Sequence, residues 1–531
     1  MFAVAAVGAF TAQVLRHNAP APTAEPAPSV TSTPPPTTEP SPTPTPEPMP
    51  DRPVEPFPDV TPAGFADPPP GQGLQRYLDQ VIEWVPCAAG SVEGDCADIL
   101  VPLDYADPDG QAITLAVFKR PPADGVGAMG PLFVNPGGPG TPGRGVAAWL
   151  DAASLPGYSL VGWDPRGVGA STPVVCDTDL DALRALDASP DDAAEEEAFV
   201  DGWRAFDQSC LAQSGRLLQH VGTADTVADL DLLRALLGAD RLNYLGYSYG
   251  TAIGALYAQT YPDKVGRMVL DSPVNITDND SVSQAAGFDV AFGNFADWCV
   301  ESGCRLATPG MATGADLVTA TIAWLDALDQ VPVPVGDRFL TQSLASDGLA
   351  LYLYQDASAY PDLADALGEA EVGDGAALLE AADGLWERND DGSYSPALGA
   401  FTAIRCVDGT DSGLAGAFAE WRKEAAEAPL FGGSAGLDVA CEVWPVRASL
   451  DDVTITAAGA APILVVGATG DSATPYEYAQ WMEEQMPSAR LLTYDGPGHA
   501  TYGGRNDCVD TTVNTYLNEG TLPPKGTVCA A

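Results

Sequence analysis

From residue 97 onward the chain alternates between two hydrophobic patterns. Short, unbroken apolar runs bounded by glycine, proline or aspartate predict strands buried on both faces. Longer stretches with apolar positions three and four apart predict helices. Residues 97–101 and 113–118 read as strands, the second alternating towards a hairpin-like pair. Residues 131–134 run into Asn135-Pro136-Gly137-Gly138-Pro139-Gly140, and 158–163 into Asp164-Pro165-Arg166-Gly167-Val168-Gly169. Residues 177–218 are polar and helix-prone, and the acidic run at 191–197 reads as a solvated face. Residues 223–237 predict an amphipathic helix that starts near Thr223 or Asp225. An apolar strand beginning at Leu242 runs straight into Gly246-Tyr247-Ser248-Tyr249-Gly250, a helix follows over 251–261, and 267–271 is the next strand.

The alternation then breaks. Residues 274–455 are mostly Ala/Leu-rich helical segments, such as 315–328 and 344–354. It resumes with a strand over 461–467, a helix over 476–486, a strand over 490–494 and a helix over 508–518. Strands alternating with helices predict an α/β fold with a mainly parallel sheet and helices on both faces. The helical block is then an insertion between two halves of one sheet. Loops at the carboxyl ends of parallel strands border the ligand crevice, so the insertion should roof the site. The division expected is a core first half at 71–274, a helical cap at 275–455 and a core second half at 456–531, with ordered sequence starting near Leu74.

Composition changes the picture at the N-terminus. Residues 19–70 contain 20 prolines with many Thr and Ser. Such a stretch packs no core and predicts an extended spacer, roughly 100 Å or more at about 3.1 Å per residue. Residues 1–18 are apolar up to Leu15 but too short to span a membrane at about 20 residues. They resemble the apolar part of a signal segment without its basic start, as a truncated signal or an envelope anchor would. The charge balance is 24 basic against 73 acidic residues, a net −49. That field argues against nucleic acid and anionic membranes as partners, and it favours cationic groups such as a peptide's free amine. With three histidines, ten cysteines and no Cys-x-x-Cys, no metal site and no bound cofactor are expected. The even cysteine count suits five disulfides in an oxidising compartment. The close pairs Cys87/Cys96 and Cys299/Cys304 invite local bridges, and Cys176/Cys210, Cys406/Cys441 and Cys508/Cys529 complete a sequential pattern.

The candidate chemistry lies at strand ends. Gly-x-Ser-x-Gly between a strand and a helix places a serine on a sharp, strained turn. The turn would expose the Ser248 hydroxyl and aim the Tyr249 amide at a developing oxyanion. Ser248 needs a base. His17 precedes the spacer and His220 precedes the nucleophile, so the order serine, acid, histidine leaves His499, in the glycine-rich loop after the 490–494 strand. The acid should leave the preceding strand, as Asp471 does; Asp495 is a rival on the same turn as His499. The second oxyanion donor should come from the loop after the third strand, where Pro136 and Pro139 have no N–H and Gly138 is the candidate.

These residues carry a resemblance. The loop at 137–140, the run Asp164-Pro165-Arg166-Gly167-Val168-Gly169-Ala170-Ser171, the Ser248 turn, Asp471 and Gly498-His499 look like the α/β-hydrolase fold. More narrowly they resemble secreted actinobacterial tripeptidyl aminopeptidases, relatives of proline iminopeptidases, over the chain from about residue 80. The family loop usually has His before its glycines; Asn135-Pro136 stand there, as in the tripeptidyl branch. The resemblance implies an extracytoplasmic serine exopeptidase that releases short peptides from free N-termini through an acyl-enzyme. It also implies carboxylates in the roof to hold the substrate ammonium. Asp408 and Glu442, in stretches similar to family segments near the site, are the candidates, and a Cys406–Cys441 bridge would bring them together. Some members are described as carboxylesterases, so a small acyl ester is the alternative substrate. An inactive hydrolase fold serving as a binding module is the contrasting reading.

Overall fold

The computed structural model describes residues 58, 60–123, 125–277, 279–409, 412–436, 438–446 and 454–531. The apolar N-terminal stretch and most of the proline-rich segment lie outside the described residues.

The strands are β1 (Phe65–Ala66), β2 (Val85–Ala89), β3 (Val92–Pro102), β4 (Ala112–Arg120), β5 (Gly130–Asn135), β6 (Tyr158–Trp163), β7 (Leu242–Tyr247), β8 (Val265–Asp271), β9 (Val333–Val335), β10 (Arg338–Leu340), β11 (Ile463–Gly470), β12 (Ala489–Pro497) and β13 (Thr527–Ala530). One sheet runs in the order β13-β12-β11-β8-β7-β5-β6-β4-β3-β2, with β1 paired to β4, while β9 and β10 form a separate hairpin. From β6 to β13 neighbours are parallel; β2, β3 and β4 add an antiparallel end.

The unbroken apolar runs are explained by a sheet covered on both faces. Along β11, Ile463 and Val465 join one core cluster while Leu464 and Val466 join the other, on the opposite face. Phe133 of β5 likewise faces one cluster, and its neighbours Leu132 and Val134 the other. Each such side chain contributes about 1.5–3 kcal/mol by burial. β4 is buried on both faces rather than alternating, because Ile113, Leu115 and Val117 join one core cluster and Phe118 the other.

Between β8 and β11 the chain is mostly helical apart from the β9–β10 hairpin, from Gln284–Ser302 through Gly314–Gln330, Gln342–Leu353 and Ala397–Asp408 to Gly413–Glu427 and Ala440–Val443. Ordered structure begins before Leu74. Phe65 and Ala66 pair with Ile113 and Ala112, and Thr172 Oγ1 donates to Gly64 O at 2.8 Å, so the last part of the proline-rich stretch belongs to the sheet. The acidic run is partly a helix start: Asp192 caps Ala193–Ser214, with Glu195 closing the box. Arg166 is fully buried and bidentate to Asp229 at 2.7 Å, and it also donates to Pro102, Leu103 and His220 carbonyls. It therefore ties the loop after β6 to the helix Thr223–Leu236. All ten cysteines are bridged, as Cys87–Cys96, Cys176–Cys210, Cys299–Cys304, Cys406–Cys441 and Cys508–Cys529.

Candidate active site

β7 ends in a turn that only this residue pattern admits. Ser248 has φ +53°, in the left-handed region that side-chain-bearing residues rarely occupy. A Cβ on Gly246 would lie 2.4 Å from Gly250 O, and one on Gly250 would lie 2.8 Å from Asn135 Oδ1. Both glycines are thus required by close backbone approach. Ser248 N donates to Asp271 O at 3.0 Å, and Ser248 O accepts the Thr251 amide at 2.8 Å. The helix Gly250–Thr260 starts at once, with Tyr249 as its N-cap, so the Tyr249 amide belongs to the donor-rich helix start.

The loop after β5 packs onto this turn. A Cβ on Gly137 would sit 2.5 Å from Tyr247 O and 2.9 Å from Tyr249 N. Asn135 Oδ1 accepts the Gly137 amide at 2.9 Å, which engages that donor and leaves the next amide, that of Gly138, as the candidate. Gly138, Ser248 and Tyr249 all line one cavity of about 540 Å³.

Asp471 follows β11 and His499 follows β12. His499 Nδ1 is 2.8 Å from Asp471 Oδ1, and both side chains are buried. The carboxylate also accepts the amides of Ala473 at 3.0 Å and Thr474 at 2.9 Å, and the Thr474 hydroxyl at 3.0 Å. Those donors fix the carboxylate in place, so that it can orient the imidazole and stabilise its cation. His499 N donates to Tyr354 O at 3.2 Å, and the two rings meet edge to face at 5.4 Å. Asp495 is exposed and takes a hydrogen bond from Thr469 at 3.0 Å. His220 is half-buried beside Arg166, its pKa lowered chiefly by burial. His17 lies outside the described residues.

The far wall of the cavity comes from the helical insertion. The Cys406–Cys441 bridge joins the helices Ala397–Asp408 and Ala440–Val443, and Asp408 and Glu442 share the cavity wall. Neither carboxylate is idle. Asp408 Oδ1 accepts the Thr223 amide at 2.8 Å, and Oδ2 takes the Thr223 hydroxyl and, at 3.3 Å, the Tyr249 phenol. Burial pushes its pKa up to about 6. Glu442 accepts Ser412 N at 3.1 Å, Ser412 Oγ at 2.9 Å and Gly413 N at 2.7 Å, capping the helix Gly413–Glu427. That helix also supplies Glu420 and Glu424 to the wall; burial raises the Glu424 pKa. Asp438 completes the acidic wall and pairs with Arg405.

Sequence reasoning missed Glu420, Glu424 and Asp438, because one cavity wall draws on several helices whose mutual packing leaves no local signal. It also missed Asp271, although an aspartate ending an apolar strand is the same signal that marks Asp471.

Comparison with known proteins agrees with this architecture. Residues 130–307 match the family described as alpha/beta hydrolase fold, and residues 428–529 match the TAP-like protein family. The chain is 35% identical over 490 residues to Serine protease Hip1 of Mycobacterium tuberculosis, covering 85% of this chain and 91% of that protein. It is 32% identical over 480 residues to Tripeptidyl aminopeptidase of Streptomyces lividans, covering 85% and 86%. It is 38% identical over 458 residues to Carboxylesterase B of Mycobacterium tuberculosis, covering 82% and 86%. With this sheet order, helical insertion and extent of identity, the chain is an enzyme of the α/β-hydrolase class and belongs to its TAP-like branch of serine hydrolases and peptidases.

Proposed function

We propose that the protein is an extracytoplasmic serine exopeptidase that releases short peptides, three residues long by analogy with the Streptomyces relative, from free N-termini. Ser248 Oγ attacks the scissile carbonyl while His499 takes its proton and Asp471 holds the imidazole. The Gly138 and Tyr249 amides receive the oxyanion. The C–N bond then breaks, and His499 returns the proton to the departing amine, which leaves as the shortened chain. Water, deprotonated by His499, attacks the acyl carbon and frees the N-terminal peptide and Ser248. In this reading residues 275–455 serve as the cap over a core built from 71–274 and 456–531, to which β1 at Phe65–Ala66 is added.

One observation carries the exopeptidase reading. Among the described residues, the wall of the cavity that opens on Ser248 has Asp408, Glu420, Glu424, Asp438 and Glu442 against one cation, Arg405, which pairs with Asp438. A negative wall in the cavity that also holds the nucleophile suits a substrate ammonium and disfavours an anionic acyl chain. Asp408 and Glu442 fix two of those charges through hydrogen bonds from the protein. Five disulfides support a location in an oxidising compartment, and the sequence that precedes β1 would serve as leader or envelope tether.

The test compares kcat/KM for a tripeptidyl anilide bearing a free amine, its N-acetyl form and a short acyl ester. The free-amine peptide should exceed the blocked one by about 100-fold or more, the scale of an unpaired buried charge site. Equal rates for the two peptides would remove the exopeptidase reading. An ester turned over far faster than either would favour the carboxylesterase reading, which the 38% identity to Carboxylesterase B supports.

A further inference from the structure

We infer that the dipeptide Asp271–Ser272, at the end of β8, is a positioning element that sets the His499 loop against the Ser248 turn. The inference rests on the reading of Ser248 and His499 as the reacting pair.

The argument starts from strand order. β8 lies between β7, which ends at the nucleophile turn, and β11, which ends at the acid; β12, which carries the histidine loop, lies beyond β11. Neighbouring strands are about 4.8 Å apart, so about 10 Å of sheet separates the β7 end from the β11 end. The imidazole must reach back across that gap. Something at the end of β8 has to fix the loop relative to the serine, because a drift of about 1 Å costs about 100-fold in rate.

Asp271 and Ser272 occupy that place and are fully buried. Their backbone faces the two flanking strands. Asp271 O accepts the Ser248 amide at 3.0 Å, and Ser272 N donates to Val466 O of β11 at 2.9 Å. Their side chains face the histidine loop. Ser272 Oγ accepts Ala500 N at 2.9 Å, and Asp271 Oδ2 accepts Thr501 N at 3.0 Å and Tyr502 N at 2.7 Å. Three successive amides after His499 therefore end on two adjacent side chains, whose own main chain grips the nucleophile turn. Backbone conformation repeats the point. Ser248, Ser272 and Ala500 all have positive φ, at +53°, +54° and +62°. Such residues persist only where surrounding contacts over-determine them. The His499 ring already donates to Asp471, so Asp271 acts on the base through the main chain and is not a second acid for it.

The same contacts would be expected of a purely structural clamp, so the experiment has to separate the two. Wild type, Asp271→Asn and Ser272→Ala are each titrated with a fluorophosphonate to count active sites. The second-order labelling constant, kcat and KM on a small ester, and Tm are measured on the same samples. A positioning role predicts a titratable fraction close to that of wild type in both variants. Labelling constant and kcat should fall together, about 10–100-fold for Asp271→Asn and about 3–10-fold for Ser272→Ala, with KM within about twofold. Wild-type labelling constants in both variants would overturn the inference. So would a loss of activity that matches the loss of titratable sites, since that is the signature of a clamp needed only for folding. Should Asp271→Asn fail to fold, Ser272→Ala decides alone. Labelling that persists in Ser248→Ala would overturn the underlying reading of the reacting pair, and with it this inference; it is recognised separately because it appears with both side chains of the dipeptide intact.

Discussion

Replacing Gly137 by alanine tests how tightly the oxyanion loop is fitted to the nucleophile turn. The new Cβ would fall 2.5 Å from Tyr247 O, 2.9 Å from Tyr249 N and 3.0 Å from Ser248 Cβ. Ordinary carbon contacts are about 3.5–4.0 Å, so either loop or turn must yield by about 1 Å. The obstructing atoms leave little freedom, because two of the three are main chain within the turn itself. Gly137 also has φ +95°, a conformation that costs a side-chain-bearing residue about 1–3 kcal/mol. The displaced element carries either the Gly138 or the Tyr249 amide. Loss of one such donor lowers kcat by about 10²–10³. Steady-state kinetics on a short ester should therefore show kcat reduced by about two to three orders of magnitude. Thermal melting should show Tm lowered as well. Gly145→Ala is the control, since its Cβ meets nothing within 4 Å. A Gly137→Ala enzyme with kcat and Tm like those of the control would refute this account of the loop.

Further outcomes are expected. Asp471→Asn keeps the shape of the site but disturbs the tautomer of His499, and kcat should fall by about 10⁴ with the fold intact by circular dichroism. Asp408→Asn and Glu442→Gln should raise KM for free-amine peptides about 5–50-fold while leaving KM for a small ester within about threefold; equal changes on both substrates would count against an ammonium site. Asp289 accepts the amides of Leu430 at 3.1 Å and Phe431 at 2.9 Å, and burial lifts its pKa to about 6. Because that value lies above the unfolded one of about 3.9, its contribution to stability is complete below about pH 4 and is lost as pH rises through about 6. The Tm of Asp289→Asn relative to wild type should accordingly be lowest near pH 4 and climb towards pH 7.5, whereas a pH-independent difference would contradict the shift.

Much of the core was legible because its determinants are local. The strands at 131–134, 158–163 and 267–271 announce themselves as apolar runs bounded by turn residues, and the structure extends each by at most two residues at either end. Ser248, Asp471 and His499 all fall at carboxyl ends of such runs, where a parallel sheet must place its ligand crevice. β1 and β13 were not legible. Each is short, and each is defined by a partner, β4 and β12, rather than by its own pattern. The acids of the cavity wall were only half legible for the same reason. Asp408 and Glu442 sit beside a disulfide that the cysteine spacing anticipates, whereas Glu420 and Glu424 look like any solvated helix face until Gly413–Glu427 is packed over the serine. Asp271 shows the limit from the other side. Its strand is plain in the sequence, but its role depends on two amides more than 200 residues away, those of Thr501 and Tyr502.

The most direct measurement is to label the protein with a fluorophosphonate and locate the adduct by peptide mass spectrometry. A single adduct on Ser248 is predicted, slowed by about 10³-fold or more in His499→Ala, and absent, together with all turnover, in Ser248→Ala. An adduct on another residue, or a Ser248→Ala protein that still hydrolyses its substrates, would contradict the account.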